Sequence, residues 1–596
     1  MPSSERTPHA ASIPASVDRA RIEKLLAVAR ATRPLPDPAG LLYYSSNVGG
    51  HAQVYRQAAP GAGRELVLAT ADRLVPHAHT PFGLLVRADA GGNETWQLAL
   101  IGEAGLRPLT SDANAIHQSP VMHPSRHSAG LAWNPGGQAD MVLGVLDLQS
   151  GALTSWAEPG GYWTWSAWSP DGARAAVTKV MGTPTEAYVL DRDGGLTRLL
   201  PSALRVIPVE WLGEGILVAT DSGRDFLGLA VVDPERPDEI ARRLFDEPRD
   251  LEGVVVDDAR LKAALVVNEG VYDAIRIIDL ASGDAVDRAL LPAGVVIADH
   301  TGDPGYHAAW SHDGTRLFVS WERPRQPAEI YEWPGGTRWT FTSDPPPGLI
   351  EPVETSYTSF DGLTVPALYY RIDETPRPTV VQFHGGPEGQ SRAGYQPQAH
   401  LMNAVGFNLF LPNVRGSTGY GMRFQSLDDK TLRWNGVIDG CEAARHLRRT
   451  GLATKTAAHG GSYGGFMTLA VLVEDPDLWD AGVDVVGIAD WHTFFEHMPP
   501  WRGVLRVNEY GDPTGAESEF LRRISPIHRA SSIKAPLLVI HGRNDPRVPV
   551  GESIQIAEAV GAEILIFEDE GHGIARLDNQ VAANGRMLAF LLEHLG

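Results

Sequence analysis

The sequence predicts two domains, a β-propeller followed by a doubly wound, mostly parallel α/β sheet. The chain has 596 residues, which is too long for one core, since single cores stop growing near about 250–300 residues. Across residues 40–342, short apolar strands recur at a spacing of roughly 35–45 residues. After a Pro-rich link at residues 343–349, apolar strands alternate with helical segments up to the end of the chain. Buried strands that alternate with helices are typical of a parallel sheet covered on both faces.

The repeats of the first domain have the sequence pattern of propeller blades. Most apolar runs are followed by a second strand-like run and then by a polar turn. Three repeats carry a Trp and a tight turn directly before a strand, at Trp133, Trp168 and Trp310. The glycine-containing turn reverses the chain, and the Trp fills the space between neighbouring sheets. We therefore expect a propeller, with seven blades, over residues 34–345, and a long double β-sandwich is the alternative.

The N-terminal segment, residues 1–33, precedes the first repeat. Within it, residues 17–32 place Ile22, Leu25, Leu26 and Val28 at helical spacing between charged residues. This pattern predicts an amphipathic helix with one face to bury against either domain. The second domain is expected over residues 346–596.

Charge and composition exclude several classes of partner and site. The formal net charge of −22 would repel nucleic acid and anionic membranes. No secretory signal and no run of about 18 apolar residues is present. The single cysteine, Cys441, excludes an intrachain disulfide. The histidines lack metal-ligand spacing. We expect a cytoplasmic protein that binds neither a metal nor another cofactor, nor a membrane.

A glycine-rich motif in the second domain carries the main functional signal. Ser462 lies in G-x-S-x-G, inside Gly-Gly-Ser-Tyr-Gly-Gly at residues 460–465, and an apolar helical run follows it. A nucleophile on a sharp strand-to-helix turn has a strained backbone, and bulky neighbours would clash there. The motif therefore predicts a nucleophile elbow in an α/β hydrolase, with Ser462 as the nucleophile.

The remaining groups of a catalytic triad follow in the order Ser, Asp, His. Asp545 comes after an apolar strand, and His572 comes after the next one. A serine hydroxyl needs an imidazole to accept its proton, and a carboxylate fixes the tautomer of that imidazole. We expect Asp545 and His572 in these roles. Asp569 is the alternative acid, although it lies only three residues before His572.

Two backbone N–H groups are expected to bind the developing oxyanion. The first belongs to Tyr463, because the helix that begins there directs its amide groups at the nucleophile. The second should come from the glycine turn after an earlier apolar strand, with Gly386 as the first choice and Gly385 as the alternative.

The motifs together identify a family resemblance. A propeller followed by HGGP, NVRGSTGYG, GGSYGG, HGRNDPRVP and EGH in this order resembles the prolyl oligopeptidase family of serine peptidases, and most of all its acylaminoacyl-peptidase branch. The resemblance is specific over residues 350–596 and only architectural over the propeller. It implies an active site between the domains, a propeller that admits only short peptides, and a helix at residues 17–32 that packs on the hydrolase domain.

The resemblance also indicates substrate contacts. Dipeptidyl peptidases of the family hold the free amino group with a Glu-Glu pair, which this sequence lacks. The acylaminoacyl branch uses an apolar pocket and an arginine at the position of Arg547. The aromatic residues after the elbow could line such a pocket; they are Trp491, Phe494, Phe495 and Trp501.

Two further arginines leave an alternative open. Arg502 and Arg506 lie four residues apart, on one face of an expected helix. With Arg547 they could anchor a C-terminal carboxylate, because arginine binds carboxylates bidentately. The leading hypothesis is a serine peptidase that releases residues from one end of short peptides. A carboxypeptidase, a small-ester hydrolase and a binding propeller with an inactive hydrolase domain are the alternatives, and a homo-oligomer is left open.

Overall fold

The first domain is a ring of seven antiparallel sheets, each built from consecutive strands. The computed structural model describes residues 18–89, 93–289, 291–297 and 307–596. The strands of the first four blades are β1 Ala31–Pro36, β2 Leu42–Ser46, β3 Gln53–Gln57, β4 Glu65–Leu66; β5 Arg73–Thr80, β6 Gly83–Asp89, β7 Gln97–Gly102, β8 Gly105–Pro108; β9 Val121–Met122, β10 Ser128–Trp133, β11 Val142–Asp147, β12 Leu153–Ala157; and β13 Trp163–Trp168, β14 Arg174–Val180, β15 Thr185–Asp191, β16 Leu196–Leu199.

The last three blades complete the ring, and the seventh has five strands. Their strands are β17 Val206–Leu212, β18 Gly215–Thr220, β19 Gly228–Val232, β20 Ile240–Phe245; β21 Leu251–Val256, β22 Lys262–Asn268, β23 Asp273–Asp279, β24 Ala285–Arg288; and β25 Val295–Val296, β26 Ala308–Trp310, β27 Leu317–Arg323, β28 Gln326–Trp333, β29 Thr337–Arg338. The sequence prediction of a seven-bladed propeller is confirmed.

Tryptophan side chains join neighbouring blades. Nε1 of Trp168, in the fourth blade, donates a hydrogen bond of 2.9 Å to the carbonyl of Val121 in the third. Nε1 of Trp310, in the seventh blade, donates in the same way to Val255 in the sixth, also at 2.9 Å. Both rings are buried. The Trp residues that precede the turns therefore fill and bridge the space between sheets.

Blades one and seven meet without a shared strand among the described residues. Their seam is a buried cluster that includes Tyr44 from the first blade and Phe318 and Trp339 from the seventh. Nε2 of Gln57 donates a hydrogen bond of 2.7 Å to the carbonyl of Trp339. The backbone N–H of Gly61 donates to the same carbonyl at 2.9 Å, so noncovalent contacts close the ring.

The N-terminal helix is shorter than the sequence predicts. Helix α1 spans Arg19–Leu26, and the carboxylate of Asp18 accepts a hydrogen bond from the backbone N–H of Arg21. The expected helix over residues 17–32 ends early because Ala31 already pairs with Ser46 in the first blade. Ile22 and Leu25 are buried in a cluster with residues of the C-terminal helix.

The second domain contains one eight-stranded sheet in the order β30-β31-β33-β32-β34-β35-β36-β37. The strands from β33 to β37 pair in parallel, and β31 pairs antiparallel with both β30 and β33. The strands are β30 Val353–Thr358, β31 Thr364–Tyr370, β32 Arg377–Phe383, β33 Asn408–Pro412, β34 Ala453–Gly461, β35 Ala481–Val485, β36 Leu537–Gly542 and β37 Glu563–Phe567.

Helices cover both faces of this sheet. They are α2 Pro397–Ala404, α3 Met422–Gln425, α4 Trp434–Arg449, α5 Tyr463–Glu474, α6 Trp491–His497, α7 Pro500–Val504, α8 Val507–Tyr510, α9 Ser518–Ile524, α10 Gly551–Val560 and α11 Leu577–Leu595. Helices α4 and α5 pack in one large buried cluster, whereas α1, α2 and α11 pack in another. Within the described part of the chain, no helix combines the length and apolar composition that a bilayer span requires.

Candidate active site

Ser462 lies at a sharp turn between β34, in the middle of the sheet, and α5. Its backbone has φ 60° and ψ −121°, a left-handed conformation that costs energy for any residue other than glycine. Its N–H donates to the carbonyl of Val485 at 2.9 Å. A Cβ at Gly464 would overlap the carbonyl oxygen of Phe383 and lie 3.0 Å from that of His384. The turn therefore needs glycine beside the serine, as an elbow does.

Asp545 and His572 meet in the loops that follow β36 and β37. Oδ2 of Asp545 lies 2.7 Å from Nδ1 of His572. Oδ1 of Asp545 accepts the backbone N–H groups of Arg547 at 2.7 Å and Val548 at 2.9 Å. Asp569 instead forms an ion pair of 3.1 Å with Arg576. Of the two acids that the sequence left open, Asp545 is the one that contacts His572.

A second, fully buried histidine faces the same carboxylate. Nε2 of His541 lies 3.3 Å from Oδ2 of Asp545 and 3.0 Å from the carbonyl of Val548. Its Nδ1 lies 2.7 Å from Oγ of Ser553. Burial acts to raise the pKa of Asp545, but hydrogen bonds with His541 and His572 outweigh burial and hold that pKa below its usual range. Asp545 therefore remains an anion that can orient an imidazole.

The loop that carries His572 is held by a residue that the sequence analysis missed. Glu570 is buried, and its carboxylate accepts the backbone N–H groups of Ala575 at 2.9 Å and Arg576 at 3.0 Å. The carbonyl of Glu570 accepts the N–H of Asn544, in the Asp545 loop, at 2.9 Å. The sequence offered one signal for Glu570, namely its position between β37 and His572.

The glycine turn after β32 lies against the elbow. A Cβ on Gly385 would lie 3.6 Å from Cβ of Ser462. Gly386 has φ 136°, and its carbonyl accepts a hydrogen bond of 2.8 Å from the hydroxyl of Tyr510. The ring of Tyr510 stacks on Tyr463, with centroids 6.2 Å apart and planes 9° apart. The turn and the start of α5 thus flank Ser462, and the oxyanion roles of Tyr463, Gly386 and Gly385 stay predictions.

The aromatic residues predicted to line a pocket have different surroundings. Trp491 is 0 % exposed and packs on Phe466 and Tyr510 within the core, which does not favour direct contact with a substrate. Phe494 is buried, and Phe495 is half-buried with its edge towards Tyr510.

Trp501 bridges the two domains. It stacks on Tyr162 of the propeller, with centroids 5.7 Å apart. The short helix α7 therefore fastens the rim of the hydrolase domain to the propeller.

A carboxylate of the propeller, Glu94, joins two of the predicted arginines. Nε of Arg547 donates to Oε1 of Glu94 at 2.9 Å and to Oε2 at 3.1 Å. Nη2 of Arg547 lies 2.9 Å from Oε1 of Glu94. Arg502 forms an ion pair with the same carboxylate. Burial acts to raise the pKa of Glu94, but the charge of Arg547 and the other basic groups lowers it below its usual value.

Glu94 was missed because nothing in the propeller sequence distinguishes it from other loop carboxylates. The charge of His572 also contributes to the lowered pKa of Glu94, so the carboxylate lies within electrostatic range of the triad. The propeller thereby supplies a charged group close to the candidate active site.

The prediction that Arg502 and Arg506 share one helical face is wrong. Helix α7 ends at Val504, and Arg506 precedes the separate helix α8. Arg506 pairs with a different carboxylate: its Nη1 lies 3.8 Å from Oε2 of the buried Glu509. Only Arg502 and Arg547 converge.

Comparison with known proteins agrees with this architecture. Residues 394–596 match the Prolyl oligopeptidase family. Dipeptidyl aminopeptidase BIII of Pseudoxanthomonas mexicana is 28% identical over 581 residues, which cover 87% of this chain and 79% of that protein. Acylamino-acid-releasing enzyme 2 of Oryza sativa subsp. japonica is 32% identical over 225 residues, which cover 34% of this chain and 28% of that protein.

Solved structures extend the similarity to the whole fold. The crystal structure of puromycin hydrolase superimposes with a TM-score of 0.82 at 22% identity, and the match covers 97% of each chain. The acylaminoacyl peptidase of Pyrococcus horikoshii superimposes with a TM-score of 0.71 at 19% identity, over 96% of this chain and 97% of that one. At these identities the two structures show a common fold.

Proposed function

Since residues 394–596 match the Prolyl oligopeptidase family, we propose that the protein is a serine peptidase in which Ser462, Asp545 and His572 form the catalytic triad. The observation that carries the proposal is the hydrogen bond of 2.7 Å between Nδ1 of His572 and Asp545, at the same edge of the parallel sheet as the strained turn at Ser462. An imidazole whose Nδ1–H donates to a carboxylate has a basic Nε2 that is free to accept a hydroxyl proton.

The proposed reaction proceeds through an acyl-enzyme. His572 accepts the proton of the Ser462 hydroxyl while Oγ attacks the peptide carbonyl carbon, and the carbonyl oxygen becomes an oxyanion. The N–H groups of Tyr463 and Gly386 (with Gly385 the alternative to Gly386) stabilise that charge. His572 then gives the proton to the leaving amine as the C–N bond breaks. Water repeats the sequence on the ester and releases Ser462.

The chemistry of Arg547 favours acylated peptides as substrates. Glu94 occupies Nε and Nη2 of Arg547, which leaves Nη1 without a hydrogen bond among the described residues. The N–H groups of Nη1 are therefore available to the carbonyl oxygen of an acyl group or of a peptide. Glu94 faces two guanidinium groups, so this cluster carries an excess positive charge that disfavours a free ammonium group.

The carboxypeptidase alternative is not favoured. A carboxylate binds arginine best through two parallel N–H groups, and Glu94 already occupies the Nε–Nη2 pair of Arg547 and offsets part of its charge. Arg506 faces Glu509 and cannot join the same anchor without leaving it. The small-ester alternative is not favoured either, since the matched relatives include a dipeptidyl aminopeptidase and a prolyl endopeptidase.

Dipeptide release is the second candidate, and Glu94 is the observation that favours it. A carboxylate from the propeller that reaches the site could bind the free amino group of a substrate. Dipeptidyl aminopeptidase BIII of Pseudoxanthomonas mexicana, whose match covers 87% of this chain, bears that activity in its name. This reading requires Glu94 to exchange one of its arginines for the substrate ammonium group.

The setting that we propose is a cytoplasmic enzyme acting on short peptides. The only cysteine, Cys441, is buried and free, so the fold does not depend on disulfide formation. The strong negative charge favours peptides over nucleic acid as partners.

The triad is tested by a matched pair of aspartate variants. Asp545→Asn should lower kcat for peptide anilides by about 10⁴, because the amide favours the wrong imidazole tautomer, whereas Asp569→Asn should stay within about twofold of the wild type. A fluorophosphonate probe should label Ser462 and fail to label Ser462→Ala. Equal losses in the two aspartate variants, or labelling of Ser462→Ala, would refute the triad.

The substrate class is tested with one peptide in four forms: free at both ends, N-acetylated, C-amidated, and blocked at both ends. We expect the N-acetylated form to be cleaved and C-amidation to have little effect. Preferential release of a dipeptide from the free amino end would replace the acylated class with the second candidate. If C-amidation abolished cleavage, the result would instead support the carboxypeptidase alternative.

A further inference from the structure

An excess of positive charge lies close to the candidate active site, although the formal net charge of the chain is −22. The groups that carry it are Arg547 and Arg502 of the hydrolase domain and Arg73, the first residue of β5 in the second blade. Among the described residues, the carboxylates that contact these three guanidinium groups are Glu94 and Asp89. Three cations therefore face two anions, and one positive charge is left without a carboxylate.

Glu94 fixes the positions of Arg502 and Arg547 relative to each other. Its carboxylate accepts the Nε–H of Arg547, with distances of 2.9 and 3.1 Å to its two oxygens, and it pairs at the same time with Nη2 of Arg502. The guanidinium group of Arg502 also lies over the ring of Trp501, with Cζ 4.3 Å from the ring centroid. Both cations are thus held in place before a ligand binds, so binding would cost little side-chain entropy.

Arg73 approaches the same cluster from the propeller. It forms an ion pair with the buried Asp89, and its Cζ lies 5.5 Å from the centroid of the Trp96 ring. Burial lowers the pKa of Arg73, and the charges of Glu94 and Arg547 also act on this pKa, so Arg73 lies within electrostatic range of both residues. The cluster therefore extends from the loop of the proposed triad into the second blade.

Each of the three arginines keeps a donor for a ligand. Among the described residues, Nη1 of Arg502, Arg547 and Arg73 donates no hydrogen bond. Nε of Arg73 and of Arg502 is buried without a hydrogen bond, whereas Nη1 of the three residues is not buried. The strongest acceptor for the N–H groups of a guanidinium is an anion such as a carboxylate.

We propose that Arg502 and Arg73 bind a carboxylate of the substrate, on the acyl side of the scissile bond. The inference rests on the proposed function, in which the N–H groups of Nη1 of Arg547 are available to an acyl or peptide carbonyl. The carboxylate belongs to a dicarboxylic acyl group such as succinyl, or to an N-acylated aspartyl residue. Arg502 and Arg73 determine specificity, and neither of them takes part in the bond-breaking steps.

The spacing of the arginines suits such a substrate. The nitrogens of Arg502 and Arg547 that contact the carboxylate of Glu94 lie at most about 8 Å apart, since each lies about 2.9 Å from an oxygen. In a succinyl group and in an N-acylated aspartyl residue, the carboxylate carbon is three bonds from the carbonyl carbon, or about 4 Å away when extended. With a hydrogen bond at either end, the carbonyl can contact Arg547 while the carboxylate contacts Arg502.

The test compares p-nitroanilides in which an amide replaces the carboxylate. One pair is N-succinyl against N-succinamyl, and the other is N-acetyl-aspartyl against N-acetyl-asparaginyl. Each is joined to the residue whose N-acetyl anilide the wild type cleaves fastest. The anilide occupies the C-terminal end, so a C-terminal carboxylate cannot contribute.

We expect kcat/KM of the wild type to favour the carboxylate about tenfold in at least one pair, because hydrogen bonds to charged groups are the stronger ones. The preference should fall in about 0.5 M salt, which screens charge. A preference in the first pair alone would assign a dicarboxylic acyl group, and one in the second pair alone would assign an acidic residue. Equal kcat/KM within both pairs would overturn the inference.

Variants of Arg502 and Glu94 should shift this ratio in opposite directions. Arg502→Gln removes a positive charge and should reduce the preference to about twofold or less. Arg502→Lys should restore part of it, since lysine keeps the charge but not the planar fork. Glu94→Gln removes a competing negative charge and should raise the preference. Each ratio compares two substrates on one variant, so a general loss of activity cancels. An unchanged ratio in Arg502→Gln, or a lower one in Glu94→Gln, would contradict the proposed site.

Two further variants define the extent of the site. Arg73→Gln should lower the ratio as Arg502→Gln does, and a ratio equal to that of the wild type would remove Arg73 from the site. Arg506→Gln is the matched control, because Arg506 follows Arg502 by four residues but pairs with Glu509. Its ratio should match that of the wild type. An equal fall in Arg506→Gln would show that overall charge, and not this cluster, sets the preference.

Two readouts separate this inference from the proposed function. If a fluorophosphonate does not label Ser462, or if no N-acetylated substrate is cleaved, the proposed function fails and the inference fails with it. If Ser462 is labelled and N-acetylated substrates are cleaved, but the carboxylate is not preferred over the amide, only the inference is lost.

Discussion

Glu94 of the propeller and Arg547 of the hydrolase domain are joined by hydrogen bonds of 2.9 and 3.1 Å from Nε of the arginine. Arg547 lies two residues after Asp545, whose carboxylate accepts its backbone N–H at 2.7 Å. The same short segment therefore holds the acid of the proposed triad and a link to the other domain.

Replacement of Glu94 should weaken substrate binding. Glu94→Gln removes the charge that fixes Arg547, and a hydrogen bond to a charged group contributes about 1.5–3 kcal/mol. We expect KM for N-acetylated peptides to rise about tenfold, with kcat changed less than about threefold. Glu65→Gln is the matched control, because Glu65 pairs with Arg56 in a similar geometry on the surface of the first blade. A fall in kcat at constant KM would contradict this binding role.

Asp484 should make the stability of the protein depend on pH. It is fully buried beneath the elbow, where a Cβ on Gly465 would overlap its Oδ1, and burial raises its pKa to about 7. The folded state therefore retains a proton that the unfolded state loses above about pH 4. The contribution of Asp484 to stability is complete below that pH and declines by about 1.4 kcal/mol per unit up to about pH 7.

The measurement is the free energy of unfolding of the wild type and of Asp484→Asn between pH 4 and pH 8. We expect the difference between them to shift in favour of the variant as the pH rises to about 7 and then to level off. Asp477→Asn serves as the control, because Asp477 is exposed and pairs with Lys534 at the surface. A difference that stays constant with pH would mean that Asp484 titrates normally.

Gly464→Ala should lower kcat strongly by displacing the elbow. The added Cβ would overlap the carbonyl oxygen of Phe383, and the elbow would have to move relative to the glycine turn. Misplacement by about 1 Å can cost about 10² in rate, so we expect kcat to fall at least a hundredfold. Gly551→Ala, at the start of α10, would meet no atom within 4 Å and should be fully active. Normal activity of Gly464→Ala would contradict the close contact.

Tyr510→Phe isolates the hydroxyl that holds the carbonyl of Gly386. The ring stack on Tyr463 is retained, and only the hydrogen bond of 2.8 Å is lost. A typical hydrogen bond contributes about 0.5–1.5 kcal/mol, so we expect kcat to fall roughly two- to tenfold with little change in KM. Tyr188→Phe, which loses a hydroxyl contact to Glu186 in the propeller, should leave kcat unchanged. The role of Tyr510 would be refuted by a change confined to KM.

The architecture could be predicted because it depends on local patterns, and the same kind of pattern supplies the residues of the proposed triad. Strand spacing and turn glycines are periodic in the sequence, and the elbow glycines surround Ser462 directly. Glu94 could not be predicted, because its role arises only when a loop of the second blade meets α7 across the domain boundary. Arg506 was misplaced because the helix that carries Arg502 ends at Val504 and Arg506 precedes the separate helix α8, a break that the spacing of the two arginines does not reveal.

Helix α1 likewise differs from the sequence prediction at its C-terminal end. Its amphipathic pattern continues past Leu26, yet pairing of Ala31 with Ser46 draws the chain into the first blade. Tertiary strand pairing overrides helical periodicity there.

The seam between the first and seventh blades is the junction at which the propeller should open most easily. Elsewhere around the ring, the polypeptide itself passes from one blade to the next, so neighbours cannot separate without stretching a covalent connection. At the seam, only noncovalent contacts join the two blades; they include the hydrogen bonds from Gln57 and from the backbone N–H of Gly61 to the carbonyl of Trp339, and the aromatic cluster around Trp339. Local opening of the ring should therefore occur mainly at this junction. Hydrogen exchange of the backbone amides on either side of it should be the fastest among the blade edges.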